Sequence, residues 1–209
     1  MKSIRVKELF MRYTLERTTI TDPSIESAEW GRAQIGRVCR DRWTEYEKTP
    51  ETTFKMLRGP QGISLLLHTA ETHLRAECRE ENGDVYLDSC MELFIKPDNL
   101  DTRYLNFEVN PRGVLHLGLG SGRHGRTLLD TDRATFSIVS VANEGDWTVK
   151  LYIPDSFILE HFERMSGVMK ANVYKCGEGT DHVHFGSWCE VEVDAPDFHQ
   201  PDFFGFIVT

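Results

Sequence analysis

Alternation of apolar and polar residues with a period of two dominates the middle of the chain and predicts short strands. In the segment 84–95 the odd positions Val85, Leu87, Met91, Leu93 and Ile95 are apolar apart from Ser89, while the even positions read Tyr86, Asp88, Cys90, Glu92 and Phe94. The next segment repeats the pattern. Leu105, Phe107 and Val109 share one face, Tyr104, Asn106, Glu108 and Asn110 share the other, and Pro111 to Gly113 makes a turn. Leu115, Leu117 and Leu119 continue it as far as a glycine-rich loop at 120–125, which reads as flexible. Strands are likewise expected at 65–67, 74–78, 135–141, 147–153, 168–176, 184–193 and 204–208. Helical spacing marks Phe157, Ile158, His161 and Phe162, between a start at Pro154 and Asp155 and a stop at Gly167, and a weaker helical pattern covers 28–38.

No linker, repeat or low-complexity segment interrupts this series. The expectation is an all-β fold, a two-sheet antiparallel β-sandwich of immunoglobulin-like or jelly-roll-like kind with one short helix, built as a single domain over residues 1–209. No apolar run approaches the ~20 residues that cross a bilayer, so no membrane-spanning helix is expected. Asp and Glu number 33 against 24 Lys and Arg, a net charge of −9 that disfavours nucleic acid as a partner. Basic residues near the N-terminus (Lys2, Arg5, Lys7) are interrupted by Glu8, Arg12 and Glu16, so no secretory signal is read and a cytoplasmic location is expected. Five cysteines without framework spacing read as reduced thiols.

The polar face of the two central strands carries Asp88, Glu92, Asn106, Glu108 and Asn110, a dense set of paired hydrogen-bonding groups beside the ring of Tyr86. Such groups suit sugar hydroxyls, and an aromatic ring suits the apolar face of a pyranose. A plain exposed sheet face is the alternative. Asp88 and Glu92, four residues apart on a strand, would be about 13 Å apart and too distant for glycoside hydrolysis. Glu92 with Glu108 across neighbouring strands keeps a glycoside-processing enzyme as the alternative function. Cys176, His182, His184 and His199 match no zinc spacing, and Asp98 with Asp101 supplies too few oxygens for calcium. No cofactor is therefore expected, with structural calcium the one alternative. No Gly-x-Ser-x-Gly elbow or dinucleotide fingerprint occurs.

Three segments, 84–97 (DVYLDSCMELFIKP), 104–113 (YLNFEVNPRG) and 196–205 (PDFHQPDFFG), together resemble carbohydrate-binding module family nine. The resemblance implies a DOMON-like β-sandwich that clamps the end of a sugar chain, or a mono- or disaccharide, between two aromatic rings, without chemistry of its own. By that resemblance Tyr86 takes the first aromatic position and Phe198 the second, where better-known members carry tryptophan. Glu92 takes the hydroxyl-binding carboxylate position, Asn172 the amide position on a late strand, and Asn106 and Glu108 the polar positions of the neighbouring strand. DOMON-like relatives that hold haem need facing Met and His ligands; Met91 lies on the core face and no histidine answers it. Two glutamates make a uronate a poor partner and a neutral saccharide the expected one, with an amino sugar the other fit.

Overall fold

The structure, a computed structural model, describes residues 11–132 and 134–209. The early strands are β1 (Arg12–Thr14), β2 (Glu16–Arg17), β3 (Gly36–Val38), β4 (Thr52–Arg58) and β5 (Gly62–Thr69). Then come β6 (Cys90–Lys96), β7 (Tyr104–Val109), β8 (Leu115–Gly120), β9 (Thr127–Leu128), β10 (Ser137–Ala142) and β11 (Trp147–Pro154). A helix α1 (Asp155–His161) precedes β12 (Val168–Cys176), β13 (Phe185–Ser187) and β14 (Gly205–Val208).

Two sheets carry these strands. The larger has the order β1-β14-β12-β6-β7-β8-β9, with β13 also paired to β12, and the smaller has the order β10-β11-β5-β4-β2, with β3 also paired to β4. Pairing is antiparallel except at two edges, where β1 runs parallel to β14 and β2 parallel to β4. Tyr13 ties the sheets together: its hydroxyl accepts from the Met56 N–H at 2.7 Å.

Alternation sets the core. Met91, Leu93 and Ile95 of β6 and Leu105, Phe107 and Val109 of β7 point between the sheets and meet Met56, Leu65, Leu67, Val149 and Leu151 from the smaller one. The helix starts at Asp155, directly after Pro154, and its first-turn carboxylate forms a two-pronged pair with Arg58 at 2.6 and 2.7 Å. At one end of the sandwich a buried polar group closes the layer. Lys175 donates to Glu71 at 3.1 Å and to His184 Nε2 at 2.9 Å, and Trp147 Nε1 donates to Glu71 at 3.0 Å.

The other face of the larger sheet is covered as well. A second apolar cluster, including Trp43, Val85, Phe94, Tyr104, Tyr174, Val191, Phe198 and Phe204, lies on it, so β6 and β7 are buried on both sides along almost their whole length.

Several local expectations change. Residues 74–78 form no strand, because their backbone is held by side chains: Asp88 accepts from the N–H groups of Glu77 and Cys78, both at 2.9 Å, and Ser89 Oγ accepts from the N–H of Arg75 at 3.1 Å. The alternation over 84–95 spans two elements, a 3-10 turn at Val85–Leu87 closed by i to i+3 bonds and a strand that begins only at Cys90. The helical pattern over 28–38 resolves into a 3-10 turn at Ala28–Gly31, anchored by buried Trp30, and the strand β3. Within 184–193 only Phe185–Ser187 is strand, and the helix ends at His161, well before Gly167. Strand β4 was not anticipated, although Phe54 and Met56 alternate with Lys55 there and face the core.

Asp88 and Asn110, expected on a ligand-facing surface, serve this framework instead. Asn110 Nδ2 donates to Asp88 at 2.9 Å and to the Cys78 carbonyl at 3.0 Å. Removal of the carboxylate in Asp88→Ala orphans these donors and is expected to cost about 3 kcal/mol, which thermal denaturation should register as a Tm lower by about 6–12 °C. An unchanged Tm would refute this role.

Candidate functional site

Over the covered face of the larger sheet a cavity of about 450 Å³ remains open between the sheet and its loops. Register builds its floor. Glu92 of β6 lies opposite Glu108 of β7, and Glu108 lies opposite His116 of β8, while Phe94 lies opposite Asn106 in the next row. All of these line the cavity.

One hydrogen-bonded relay orders the floor. Arg126 Nε donates to Asn106 Oδ1 at 2.9 Å, and Asn106 Nδ2 donates to Glu108 Oε1 at 2.7 Å, so the amide is held in one orientation. The rest of the Arg126 guanidinium donates to the carbonyls of Tyr104, Gly118 and Gly122 at 3.0–3.2 Å and lies 4.5 Å from the centre of the Tyr104 ring. A side chain at 118 could not coexist with this arrangement, because its Cβ would come 2.5 Å from Asn106 Oδ1. Glycine is thus required in β8 by the close approach of the Asn106 amide, which Arg126 holds in place.

The walls are aromatic. Tyr86 projects from the 3-10 turn at Val85–Leu87, with 37% of its surface exposed, while buried Val85 anchors the turn and the Cys176 thiol donates to the Tyr86 carbonyl at 3.5 Å. Phe198 is fixed. Its ring stacks on Tyr174 with centroids 4.1 Å apart and planes inclined by 10°, and the Tyr174 hydroxyl donates to the Phe198 carbonyl at 3.0 Å. His199 shares a 2.8 Å hydrogen bond with the Tyr104 hydroxyl and packs on Phe94, and burial pushes its pKa down to about 3, so its ring is neutral.

Charge is concentrated at the floor. Burial, and then the Glu108 charge, lift the Glu92 carboxyl well above the usual carboxylate range; burial also raises Glu108, against the opposing pull of His116 and the Asn106 hydrogen bond. Two carboxyls this close in a buried setting cannot both be ionised cheaply, and the pair holds its proton to a higher pH than an isolated carboxyl would.

Five of the six residues expected at the site, Tyr86, Glu92, Asn106, Glu108 and Phe198, line this one cavity. Asn172 does not reach it. Its amide is fully buried and bonded both ways to the Cys189 backbone at 2.9 Å, stitching β12 to the segment that follows β13. Arg126, His116, Phe94, Phe185 and His199 were not anticipated as lining residues. Phe94 and His199 had a signal, the first in its place on the face of Glu92 within the 84–97 segment and the second in the 196–205 segment, whereas Arg126 follows a glycine-rich loop where periodicity carries no information. The histidines weighed for zinc are dispersed: His184 bonds Lys175, His182 faces Glu47 at 3.0 Å, and His199 bonds Tyr104. Asp98 and Asp101 are engaged by Arg164 and Arg103. Among the described residues, Cys90 Sγ and one oxygen each of Glu92 and Glu108, all within 4.8 Å of one another, form the group able to offer a metal three ligands. Burial raises the Cys90 thiol and opposes the thiolate such a ligand requires. No helix among the described residues is long and apolar enough to cross a membrane.

The family model described as carbohydrate-binding family 9 matches residues 22–209. Among solved structures, a Bacteroides uniformis protein provisionally described as carbohydrate-binding superimposes with a TM-score of 0.85 at 27% identity, covering 95% of this chain and 98% of that one. A family 9 carbohydrate-binding module from Caldicellulosiruptor kristjanssonii, in complex with cellotriose, gives a TM-score of 0.67 at 12% identity over 95% of this chain and 93% of that one. The same organism's module in complex with glucose gives 0.66 at 13% identity over 95% of each chain. No curated protein matches the sequence.

The raised Glu92 carboxyl has a consequence for stability. A carboxyl whose pKa rises on folding contributes stability that is fully present below its unfolded value of about 4.3 and is lost as pH climbs through the folded value. Glu92→Gln keeps the neutral form at every pH. Its Tm should exceed that of the parent by several degrees at about pH 8 and converge with it at about pH 4; a gap independent of pH would show that ionisation is not the cause.

Proposed function

The chain belongs to carbohydrate-binding family 9, and from that membership we propose that it is a single non-catalytic module holding the end of a mono- or oligosaccharide in the cavity over β6 and β7. The observation that carries this reading is the composition of the cavity, with aromatic rings from Tyr86 and Phe198 on the walls and a carboxyl and amide floor beneath. Rings cover the C–H faces of a pyranose, while Glu92, Asn106 and Glu108 serve its hydroxyls. The glucose and cellotriose complexes of the Caldicellulosiruptor kristjanssonii modules support a small sugar as the ligand class.

Tyr86 and Phe198 divide the work between them. Phe198 is preorganised by Tyr174 beneath it, so stacking a sugar on it immobilises nothing further. Tyr86 is half-open and offers its ring from the 3-10 turn at Val85–Leu87. The alternative of glycoside processing has little geometric support. Glu92 and Glu108 stand side by side on adjacent strands of one floor, whereas glycoside hydrolysis places its two carboxyls on either side of the scissile bond.

Small polar ligands leave only modest affinity after ordering costs, so binding in the micromolar to millimolar range is expected. Calorimetric or NMR titration with monosaccharides and cello-oligosaccharides should saturate in that range, and Tyr86→Ala should weaken binding about tenfold while leaving Tm nearly unchanged. Failure of every saccharide to bind, or an unaltered affinity in Tyr86→Ala, would overturn the reading.

A further inference from the structure

Glu92 at the cavity floor forms no ion pair with a cation among the described residues. Glu92 is only 3% exposed, lines the cavity, and accepts no hydrogen bond from a nitrogen or hydroxyl group among the described residues; the Cys90 thiol is its one donor. The nearby lysine and arginines make their hydrogen bonds elsewhere, while His116, Arg126 and Arg123 draw the Glu108 carboxyl down from a distance. Lys175 points to the opposite face of the sheet, where it bonds Glu71 and His184. Arg126 spends its guanidinium on Asn106 and three backbone carbonyls, and Arg123 pairs with Asp197 at 3.7 Å. His116 bonds the Gly83 carbonyl through Nδ1, and the remaining acid at the rim, Glu178, adds to the negative potential.

We propose that the ligand is a sugar bearing a free amine, a hexosamine or a glycan ended by one, whose ammonium group sits between the Glu92 and Glu108 carboxylates. This rests on the sugar-binding reading and narrows its ligand class. An ammonium offers three N–H donors to a pocket whose floor presents acceptors, and its charge offsets the second carboxylate in the low dielectric of a covered sheet face. A hydroxyl at the same place can donate only one hydrogen bond and brings no charge, and an N-acetyl group removes the charge and adds bulk. Burial holds the Glu92 carboxyl protonated to a higher pH than usual, and an ammonium beside it favours ionisation: the carboxylic O–H is given up to solvent and two carboxylates remain around one cation. Neutral sugars leave that proton in place.

The test uses calorimetry on the unaltered chain near neutral pH, in chelator-treated buffer, with glucose, glucosamine and N-acetylglucosamine. Glucosamine should bind about tenfold or more tightly than glucose, and N-acetylglucosamine should lose that advantage. In Glu92→Gln and Glu108→Gln the ratio of glucosamine to glucose affinity should fall toward one, whatever happens to either affinity alone. Glucose binding as well as or better than glucosamine would overturn the amine proposal and leave the sugar-binding reading standing. No binding of any of the three would overturn both, and because the first comparison needs no variant, it holds even if a substituted protein fails to fold.

Discussion

Burial of the central strands on both faces is the constraint from which the rest of this structure follows. In an ordinary sandwich the outward side of each sheet is wetted, and polar residues there need no partners. Here a second apolar cluster is laid over the outward side of β6, β7 and β12. Each polar group left beneath it must therefore be bonded, neutralised or turned toward the cavity. Asp88 and Asn110 take the first course and hold the segment around Cys78. Glu92 takes the last two, as a raised carboxyl at the cavity floor.

Much of the architecture was legible because period-two patterning reports burial directly. The inward rows of β6, β7, β8 and β11 were each visible as alternation, and the sandwich follows from them. Misreadings arose where a backbone was satisfied by side chains instead of a neighbouring strand, as at residues 74–78, or where alternation ran across a turn, as at Val85–Leu87. Pattern cannot distinguish a strand from a 3-10 turn whose one buried residue happens to match in phase. Tyr86 thus lines the cavity from a turn and not from a strand face.

The site was legible in its floor and less so in its walls. Glu92 on β6 and Asn106 and Glu108 on β7 lie on consecutive, directly paired strands joined by the short segment 97–103, so their meeting is a local event. Arg126 and His199 arrive from loops far along the chain, and no periodicity announces that they converge with Asn106 and Tyr104. Asn172 shows the opposite case: an amide on the appropriate strand whose bonds are consumed by the Cys189 backbone. An inventory of polar residues on a face does not say which of them have capacity left for a ligand.

The parallel pairing of β1 with β14 joins residues 12–14 to residues 206–208. During synthesis that edge cannot close until the late strand has left the ribosome, so β1 waits without a partner while nearly all the intervening chain is made. Closure of so long a loop belongs to the slow, non-local class of folding events. What limits the hazard is the make-up of the waiting strand, in which Tyr13 alone is destined for the interior and Arg12 and Thr14 stay at the surface. A strand as short and polar as β1 presents little for other nascent chains to adhere to.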